Sequence, residues 1–215
     1  MKIIVTGSSR GIGLAIAKKF IACGHAVVGI DIAPSAITDA AYTHYSADIA
    51  TGELPKIADA EILINNAGVQ DTDRDIEVNL KGTIRVTEAY AFTGRVKSVL
   101  FIASASAQTG SEFPCYAASK GGVVAYMKNT ALRLSKSGGT ANSLSPGGVI
   151  TPLNDRVMND PVLWQKIMAQ TPLKKWATAE EIAEWAYFVT VINRSMTAQD
   201  ILIDNGEAAN AEFIW

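Results

Sequence analysis

The sequence has few cysteines and histidines, no surplus of charge of one sign and no long hydrophobic run. Two cysteines, Cys23 and Cys115, are too few for a disulfide framework, so we expect a reducing cytoplasm and small apolar packing roles for both side chains. Lys and Arg total 19 against 21 Asp and Glu, and the net charge of −2 offers no basic surface to nucleic acid. No apolar run reaches the ~18 residues that would span a membrane. The spacing of the two histidines suggests no metal site.

Apolar residue types make up 48% of the 215 residues, which is enough for a buried core in one domain spanning residues 1–215. Short β-branched runs alternate with longer helical patterns. Strands are predicted at residues 2–6, 25–30, 42–46, 61–64, 97–102, 141–144 and 200–203. Helices are predicted at residues 12–22, 75–92, 114–135 and 179–192. This alternation predicts an α/β fold with a doubly wound parallel sheet, which binds ligands beyond the carboxyl ends of its strands.

A glycine-rich turn, TGSSRGIG at residues 6–13, follows the first predicted strand. Its glycines allow a tight turn, and the amides that open the next helix favour a phosphate. Asp31 follows the second strand, about 20 residues after the turn, where a carboxylate would bind a ribose 2′-hydroxyl and repel a 2′-phosphate. Arg10 favours the opposite choice, because a guanidinium near the ribose would suit a 2′-phosphate. The pattern predicts a dinucleotide site with NAD preferred over NADP.

A tyrosine and a lysine lie four residues apart in the predicted helix 114–135. Tyr116 and Lys120 therefore share one face of that helix, one turn apart. A neighbouring ammonium favours phenolate and lowers the phenol pKa from its usual ~10, which suits a general acid and base. Surface helices also carry such pairs without function, so the pair needs support from the strand ends. The residues found there are Asn66, Ala67 and Gly68 after the fourth strand, and Ser104 and Ser106 after the fifth.

Five motifs occur in a fixed order: TGSSRGIG at residues 6–13, NNAG at 65–68, VNLKG at 78–82, YAASK at 116–120 and PGGVITP at 146–152. With these motifs the chain resembles the short-chain dehydrogenase/reductase family over nearly its whole length. The resemblance implies a single Rossmann-like domain with about seven parallel strands, a nicotinamide cofactor and hydride transfer between a small-molecule alcohol and a ketone. It also implies a homodimer or homotetramer formed through the helices at 75–92 and 114–135.

The resemblance also implies roles for individual residues. Tyr116 resembles the proton donor and acceptor to the substrate oxygen, and Lys120 resembles the residue that lowers its pKa and holds the nicotinamide ribose. Ser104 resembles the residue that polarises the substrate oxygen, and Asn79 resembles the helix-kink residue that helps to hold a proton-relay water. The other implied cofactor-binding residues are Gly7, Ser9, Arg10, Gly11, Ile12, Gly13, Asp31, Asp48, Ile49, Asn66, Ala67, Gly68, Val149 and Thr151.

The chain departs from the family pattern in length. Residues 31–48 leave little room for a crossover helix, and residues 69–78 replace a segment that usually holds a whole helix, so we expect one outer layer of the sheet to be trimmed. Ser104 lies 12 residues before Tyr116, about one fewer than the family pattern, which leaves Ser106 as the alternative serine. Residues 152–176 stand where the family covers its substrate. The apolar residues 212–215 predict docking on a neighbouring subunit.

These observations predict an NAD(H)-dependent oxidoreductase that interconverts a secondary alcohol and a ketone. Within the same class, an NADP-linked reductase of the 3-oxoacyl type is the alternative. A dinucleotide-binding regulator without chemistry is the alternative from another class, and the trimmed outer layer favours it. The complete set of Asn79, Ser104, Tyr116 and Lys120 argues against it, because a pure binder does not need all four.

Overall fold

A seven-stranded parallel sheet forms the centre of the computed structural model, which describes residues 1–111 and 113–210. The strands in chain order are β1 (Lys2–Thr6), β2 (Ala26–Asp31), β3 (Tyr42–Ser46), β4 (Ile62–Asn65), β5 (Ser98–Ile102), β6 (Thr140–Pro146), β7 (Val149–Ile150), β8 (Ala177–Thr178) and β9 (Asp200–Ile203). The central sheet has the order β3-β2-β1-β4-β5-β6-β9, and β7 pairs with β8 separately. The predicted α/β fold is therefore confirmed. The predicted contact of residues 212–215 lies outside the described residues.

Helices cover both faces of the sheet. They are α1 (Gly11–Ala22), α2 (Thr83–Tyr90), α3 (Ser106–Thr109), α4 (Pro114–Leu134), α5 (Asp155–Met158), α6 (Pro161–Gln170) and α7 (Ala179–Tyr187). Two π-helical segments adjoin them, Ile76–Gly82 before α2 and Phe188–Ile192 after α7, and short 3-10 turns occur at Ser135–Ser137, Pro152–Asn154 and Glu207–Ala209. Across the described residues, the helices all fall short of the length and apolar character needed to cross a membrane.

The inner strands are apolar on both faces because both faces are covered. Successive residues of a strand point to opposite faces of the sheet. In β1, Ile3 and Val5 belong to the core beneath α1 and α7, together with Phe20. Ile4 belongs to the opposite core beneath α2 and α4, together with Met127. This two-sided burial fixes the sheet and leaves its carboxyl edge as the place where loops and helix ends meet.

Two crossovers are made without a helix. Every residue of the connections 32–41 and 47–61 is described, and neither connection contains helix or strand. Ile37 of the first connection packs on the core beneath α1, whereas Leu54 and Ile57 of the second pack on the opposite core. The expected absence of a crossover helix between Asp31 and Asp48 is therefore confirmed, whereas the helix-free connection 47–61 on the opposite face was not predicted.

Some local expectations differ from the structure. The predicted helix at 75–92 begins as a π-helical segment and ends at Tyr90. Both cysteines are exposed, so the expected packing roles are wrong: Cys23 follows the last turn of α1, and Cys115 lies in the first turn of α4. The sequence reading missed α6, although Asp160 accepts from the amides of Val162 and Leu163 and is followed by a proline, which is a helix-start pattern.

Candidate active site

The strand order reverses between β1 and β4, because the chain adds β2 and β3 on one side of β1 and then returns to add β4 on the other side. A parallel sheet binds ligands in the crevice at this point. Asn66 ties the two strand ends together, because its Nδ2 donates to the carbonyls of Thr6 and Gly7, both at 3.0 Å. The Thr6 hydroxyl accepts from the amides of Asn66 at 3.0 Å and Ala67 at 3.1 Å. These hydrogen bonds fix the relative position of the two strand ends that border the crevice.

The glycine turn brings α1 unusually close to β1. Gly7 has φ +68°, and a Cβ built on Gly13 would lie 2.0 Å from the Gly7 carbonyl oxygen. Only glycine fits at both positions, and within the described chain no side chain caps the N-terminus of α1. Its first amides are therefore available to an anion. The turn fits the pyrophosphate of a dinucleotide.

The carboxylate of Asp31 is held beside this turn at the end of β2. The Ser9 amide donates to its Oδ2, and the Ala33 amide donates to its Oδ1, both at 2.9 Å. Each oxygen retains acceptor capacity for a further donor. Arg10 lies exposed at the start of α1. The structure thus brings Asp31 and the glycine turn together, with Arg10 at the rim.

Asp48 and Ile49 lie farther along this edge, after β3. Ile49 is buried, and Asp48 accepts from the Ala50 amide at 2.8 Å and from Arg74 Nη2, also at 2.8 Å. The Arg74 guanidinium holds the pKa of the Asp48 carboxyl below its usual value, against the opposing effect of partial burial. Arg74, from the shortened segment 69–78, therefore reaches Asp48, one of the predicted cofactor-binding residues.

Residues after β6 close the opposite side of the glycine turn. Val149 and Thr151 are both buried, and a Cβ on Gly11 would lie 3.5 Å from the Thr151 methyl carbon. Ile12 lies in the first turn of α1, partly buried against the core. Thr151 thus adjoins the first turn of α1, and Val149 belongs to the core beneath that helix.

Lys120 is buried on the inner face of α4. Its Nζ donates to the Ile102 carbonyl at 2.9 Å and lies 5.7 Å from the centroid of the Tyr116 ring. Burial lowers the pKa of Lys120 to about 8, although the charge of Asp75 opposes this effect. A Cβ on Gly68 would lie 3.5 Å from Nζ, so the lysine stands beside the end of β4. The ammonium and the phenol share one side of the crevice.

Two serines stand at the end of β5 near this pair. The Ser104 hydroxyl donates to Ser106 Oγ at 3.2 Å and accepts from the Ser106 amide at 3.2 Å. Both side chains are buried, whereas Tyr116 is half-buried. Because the two hydroxyls touch, their geometry does not select one over the other.

Asn79 lies in the π-helical segment Ile76–Gly82. Its side chain pairs with the backbone of Val69, accepting from the amide at 2.8 Å and donating to the carbonyl at 2.9 Å. Its Nδ2 also donates to Ser119 Oγ at 3.0 Å, next to Lys120 in α4. Asn79 therefore joins the loop after β4 to α4, and π-helical turns are often found at functional sites.

Asp75 is a site residue that the sequence reasoning missed. Only 1% of it is exposed, and Oδ1 accepts from the amide and the hydroxyl of Thr72, at 3.2 Å and 3.0 Å. Its carboxylate raises the pKa of the buried Lys120 against the larger effect of burial. A signal existed in the sequence, because Asp75 precedes Asn79 by one helical turn and so belongs to the same side of the segment.

Comparison with known proteins places the chain among oxidoreductases. The profile of a family described as enoyl-(acyl carrier protein) reductase matches residues 54–207. D-beta-hydroxybutyrate dehydrogenase of Rhizobium meliloti is 29% identical, covering 96% of this chain and 98% of the relative. The 2-(R)-hydroxypropyl-CoM dehydrogenase of Xanthobacter autotrophicus is 27% identical over 86% and 89%. A 3-oxoacyl-[acyl-carrier-protein] reductase of Buchnera aphidicola is 28% identical over 94% of each chain.

Solved structures share the fold. An oxidoreductase of the short chain dehydrogenase/reductase family from Burkholderia thailandensis superposes with a TM-score of 0.85 at 24% identity, over 97% of this chain and 92% of the other. A 4-hydroxyisoleucine dehydrogenase solved with NADH has a TM-score of 0.86 at 23% identity, over 98% and 99%. The family profile, the relatives and the crevice with its paired tyrosine and lysine show that this chain belongs to the short-chain dehydrogenase/reductase family, oxidoreductases that act on CH–OH groups.

Proposed function

We propose that the chain is an NAD(H)-dependent oxidoreductase that interconverts a secondary alcohol and a ketone, with Tyr116 as general acid and base. The observation that carries this proposal is the buried Lys120 ammonium, 5.7 Å from the Tyr116 ring centroid at the carboxyl edge of the sheet. Burying a cation costs free energy of folding, so a buried lysine in a crevice points to a functional role. A nicotinamide dinucleotide, when bound, supplies or accepts the hydride.

Tyr116 handles the proton in this scheme. In the reducing direction, the carbonyl carbon gains the hydride while the carbonyl oxygen takes the Tyr116 proton, which leaves a phenolate that recovers its proton from solvent. The Lys120 charge stabilises that phenolate. In the oxidising direction, the phenolate takes the alcohol proton. Ser104 donates a hydrogen bond to the substrate oxygen, where negative charge develops.

The choice of NAD over NADP depends on Asp31. Its carboxylate lies at the end of β2, fixed by the amides of Ser9 and Ala33. A 2′-phosphate there would meet a like charge, whereas a 2′-hydroxyl would gain an acceptor. The NADP-linked alternative has support in Arg10 and in a solved neighbour from Agrobacterium tumefaciens with bound NADP, at 25% identity and a TM-score of 0.83.

Residues 152–176 cover the substrate in this proposal. Their exposed apolar side chains include Leu153 and Val162, 59% and 64% exposed. Lys174 caps the end of α6 by donating to the carbonyls of Met168 and Ala169, and Lys175 pairs with Glu181. Lys174 and Lys175 are thus bonded within the protein. The other two cationic residues of the segment, Arg156 and Lys166, are exposed. The segment suits a medium-sized, partly apolar substrate with an acidic end.

Fluorescence titration with NADH and NADPH, followed by an alcohol and ketone activity screen, tests the proposal. We expect tighter binding of NADH, and we expect Tyr116→Phe to bind NADH normally but lose turnover by about 10³-fold or more, the scale set by a positioned acid and base. Tyr126→Phe, on the same helix, is the matched control and should keep full activity. Near-normal turnover by Tyr116→Phe would overturn the mechanism.

Two further pairs of variants separate the assignments that remain open. Asp31→Ala should relax the preference toward NADPH, whereas Asp39→Ala, an exposed residue before β3, should not change it. Ser104→Ala should lower kcat by about 10²-fold, as expected for a lost donor to a developing oxyanion. A larger loss in Ser106→Ala would transfer that role to Ser106.

A further inference from the structure

An unusual contact links the edge strand β3 to the glycine turn. Gly29 in β2 lies beneath the ring of Tyr42, and a Cβ built there would lie 1.9 Å from Tyr42 Oη and 2.3 Å from Ser8 Oγ. Because position 29 is glycine, the phenol crosses β2 and reaches Ser8, whose hydroxyl is 2.8 Å from Tyr42 Oη. The phenol thus lies beside the connection 32–41, which makes its crossover without a helix.

Two further hydrogen bonds link Tyr42, through His44, to the loop after β2. Tyr42 Oη is 3.1 Å from His44 Nδ1, and His44 Nε2 is 3.0 Å from the Ala33 carbonyl oxygen. A carbonyl only accepts, so Nε2 carries the hydrogen, and in that tautomer Nδ1 accepts from the Tyr42 hydroxyl. Tyr42 then accepts from Ser8. The chain of bonds has one direction, from Ser8 through Tyr42 to His44 and on to Ala33.

Both ends of this chain of bonds adjoin the residues that hold Asp31. Ala33 donates its amide to Asp31 Oδ1, and Ser9, the neighbour of Ser8, donates its amide to Oδ2. The Ser9 hydroxyl also donates to the Ala33 carbonyl at 3.2 Å, the same oxygen that His44 binds. The bonds therefore close a ring around the carboxylate. Burial raises the pKa of Tyr42, which keeps the phenol neutral and able to donate.

We infer that Tyr42 and His44 are positioning residues that fix the Asp31 carboxylate and thereby set the affinity for the adenosine ribose of the cofactor. They replace the support that a crossover helix would give to this loop. The inference rests on the proposed function, because it assumes that Asp31 receives the ribose.

The first test measures affinity for two cofactor forms in Tyr42→Phe. NADH affinity should fall about tenfold, because Ser8 and His44 lose the hydroxyl with which they form hydrogen bonds. Reduced nicotinamide mononucleotide lacks the adenosine half, so its affinity should stay unchanged, as should kcat at saturating NADH. Tyr45→Phe is the matched control on β3, because that residue is 39% exposed. Equal weakening of both cofactor forms, or no weakening, would overturn the inference.

A second measurement does not depend on the cofactor. Amide hydrogen exchange at Ser9 and Ala33 should be faster in Tyr42→Phe and in His44→Ala, and the double variant should add little because both act through one chain of bonds. Unchanged exchange would overturn the positioning role. Wild-type protein that binds neither NADH nor NADPH would refute the proposed function, while the exchange result would still decide whether Tyr42 and His44 position Asp31.

Discussion

At the scale of single residues, the burial of the Lys120 ammonium lowers the free energy of unfolding. Its pKa of about 8, against the ordinary 10.5, means that folding disfavours its charged form. At pH 7 the residue is protonated in both folded and unfolded chains, so the folded chain bears a penalty of about 3 kcal/mol. The penalty decreases as the pH rises from about 8 toward 10.5. Stability therefore does not account for the lysine at this position, which agrees with its proposed role beside Tyr116.

Lys120→Met should therefore stabilise the fold while abolishing turnover. The Ile102 carbonyl loses its donor, which costs about 1 kcal/mol and leaves a net gain of about 2 kcal/mol. For a chain of this size that corresponds to a rise of roughly 4–8 °C in melting temperature at pH 7. Lys128→Met, an exposed lysine on α4, should change neither property. Thermal melts and activity assays check both expectations, and a lower melting temperature would contradict them.

Asp75→Asn should change the pH dependence of the reaction. The carboxylate keeps the pKa of Lys120 higher than burial alone would allow, so its loss lowers that pKa further. The alkaline limb of kcat/KM for ketone reduction should then move to lower pH, because the charge that supports Tyr116 is lost earlier. Asp73→Asn, an exposed neighbour, is the matched control. An alkaline limb that stays in place would show that Asp75 does not act on Lys120.

Single residues differed in how well the sequence predicted them. Tyr116 and Lys120 followed from helical spacing, since four residues bring two side chains to one face. The structure places them as predicted, and their roles stay predictions. Asp75, Tyr42 and His44 were not recognised, because their importance comes from burial and from contacts between distant strands. A single sequence does not show that an aspartate near a helix start has only 1% of its surface exposed.

At the scale of elements, long strands and helices were predicted well and short ones poorly. The β-branched runs that form β1 and β5 are buried on both faces, and that burial makes their pattern clear. The π-helical turn around Asn79 did not follow from periodicity, because it depends on side-chain bonds to Val69 and Ser119, although the family resemblance implied a helix kink at this residue. The strands β7 and β8 were missed because each has only two residues.

Residues 152–176, which cover the proposed substrate site, are held in part by a buried tryptophan. Trp176 is 7% exposed, its indole donates to Glu207 at 3.3 Å, and its ring meets Trp164 edge-on at 5.0 Å between centroids. Trp176→Phe loses that donor and part of the ring, so residues 152–176 should become less ordered. Substrate KM should rise several-fold while NADH affinity stays unchanged. Trp185→Phe, 43% exposed, is the control in the same kinetic assay. A rise in both constants would argue against a separate covering role.

At the scale of the whole molecule, one end of the sheet is thinner than the other. Fold class and strand direction followed from the alternation of strands and helices, and the trimming followed from the short spacing between Asp31 and Asp48. The sequence did not predict how the two helix-free connections pack, because the positions of Ile37 and Leu54 depend on contacts with the two cores. The oligomeric state remains a prediction.

This asymmetry should appear in local stability. The connection 32–41 makes few of the buried contacts that slow local opening, so its amides should exchange faster than those of β4, β5 and β6. Addition of NADH should slow exchange at residues 31–35 and leave α7 unchanged. Hydrogen exchange with mass spectrometry checks both expectations. Uniform exchange across the sheet would show that the extended connections are as well anchored as the helices.

The helix-free crossover between β2 and β3 also bears on engineering. Where a helix makes this crossover, changing the residues around the ribose risks repacking a layer of the core. Here the connection contributes Ile37 to the core beneath α1, and the rest of residues 32–41 lies largely at the surface. A replacement loop needs to keep only this one apolar side chain and the hydrogen bonds around Asp31. The coenzyme preference of this chain should therefore be exchangeable by replacing residues 32–41 as a unit.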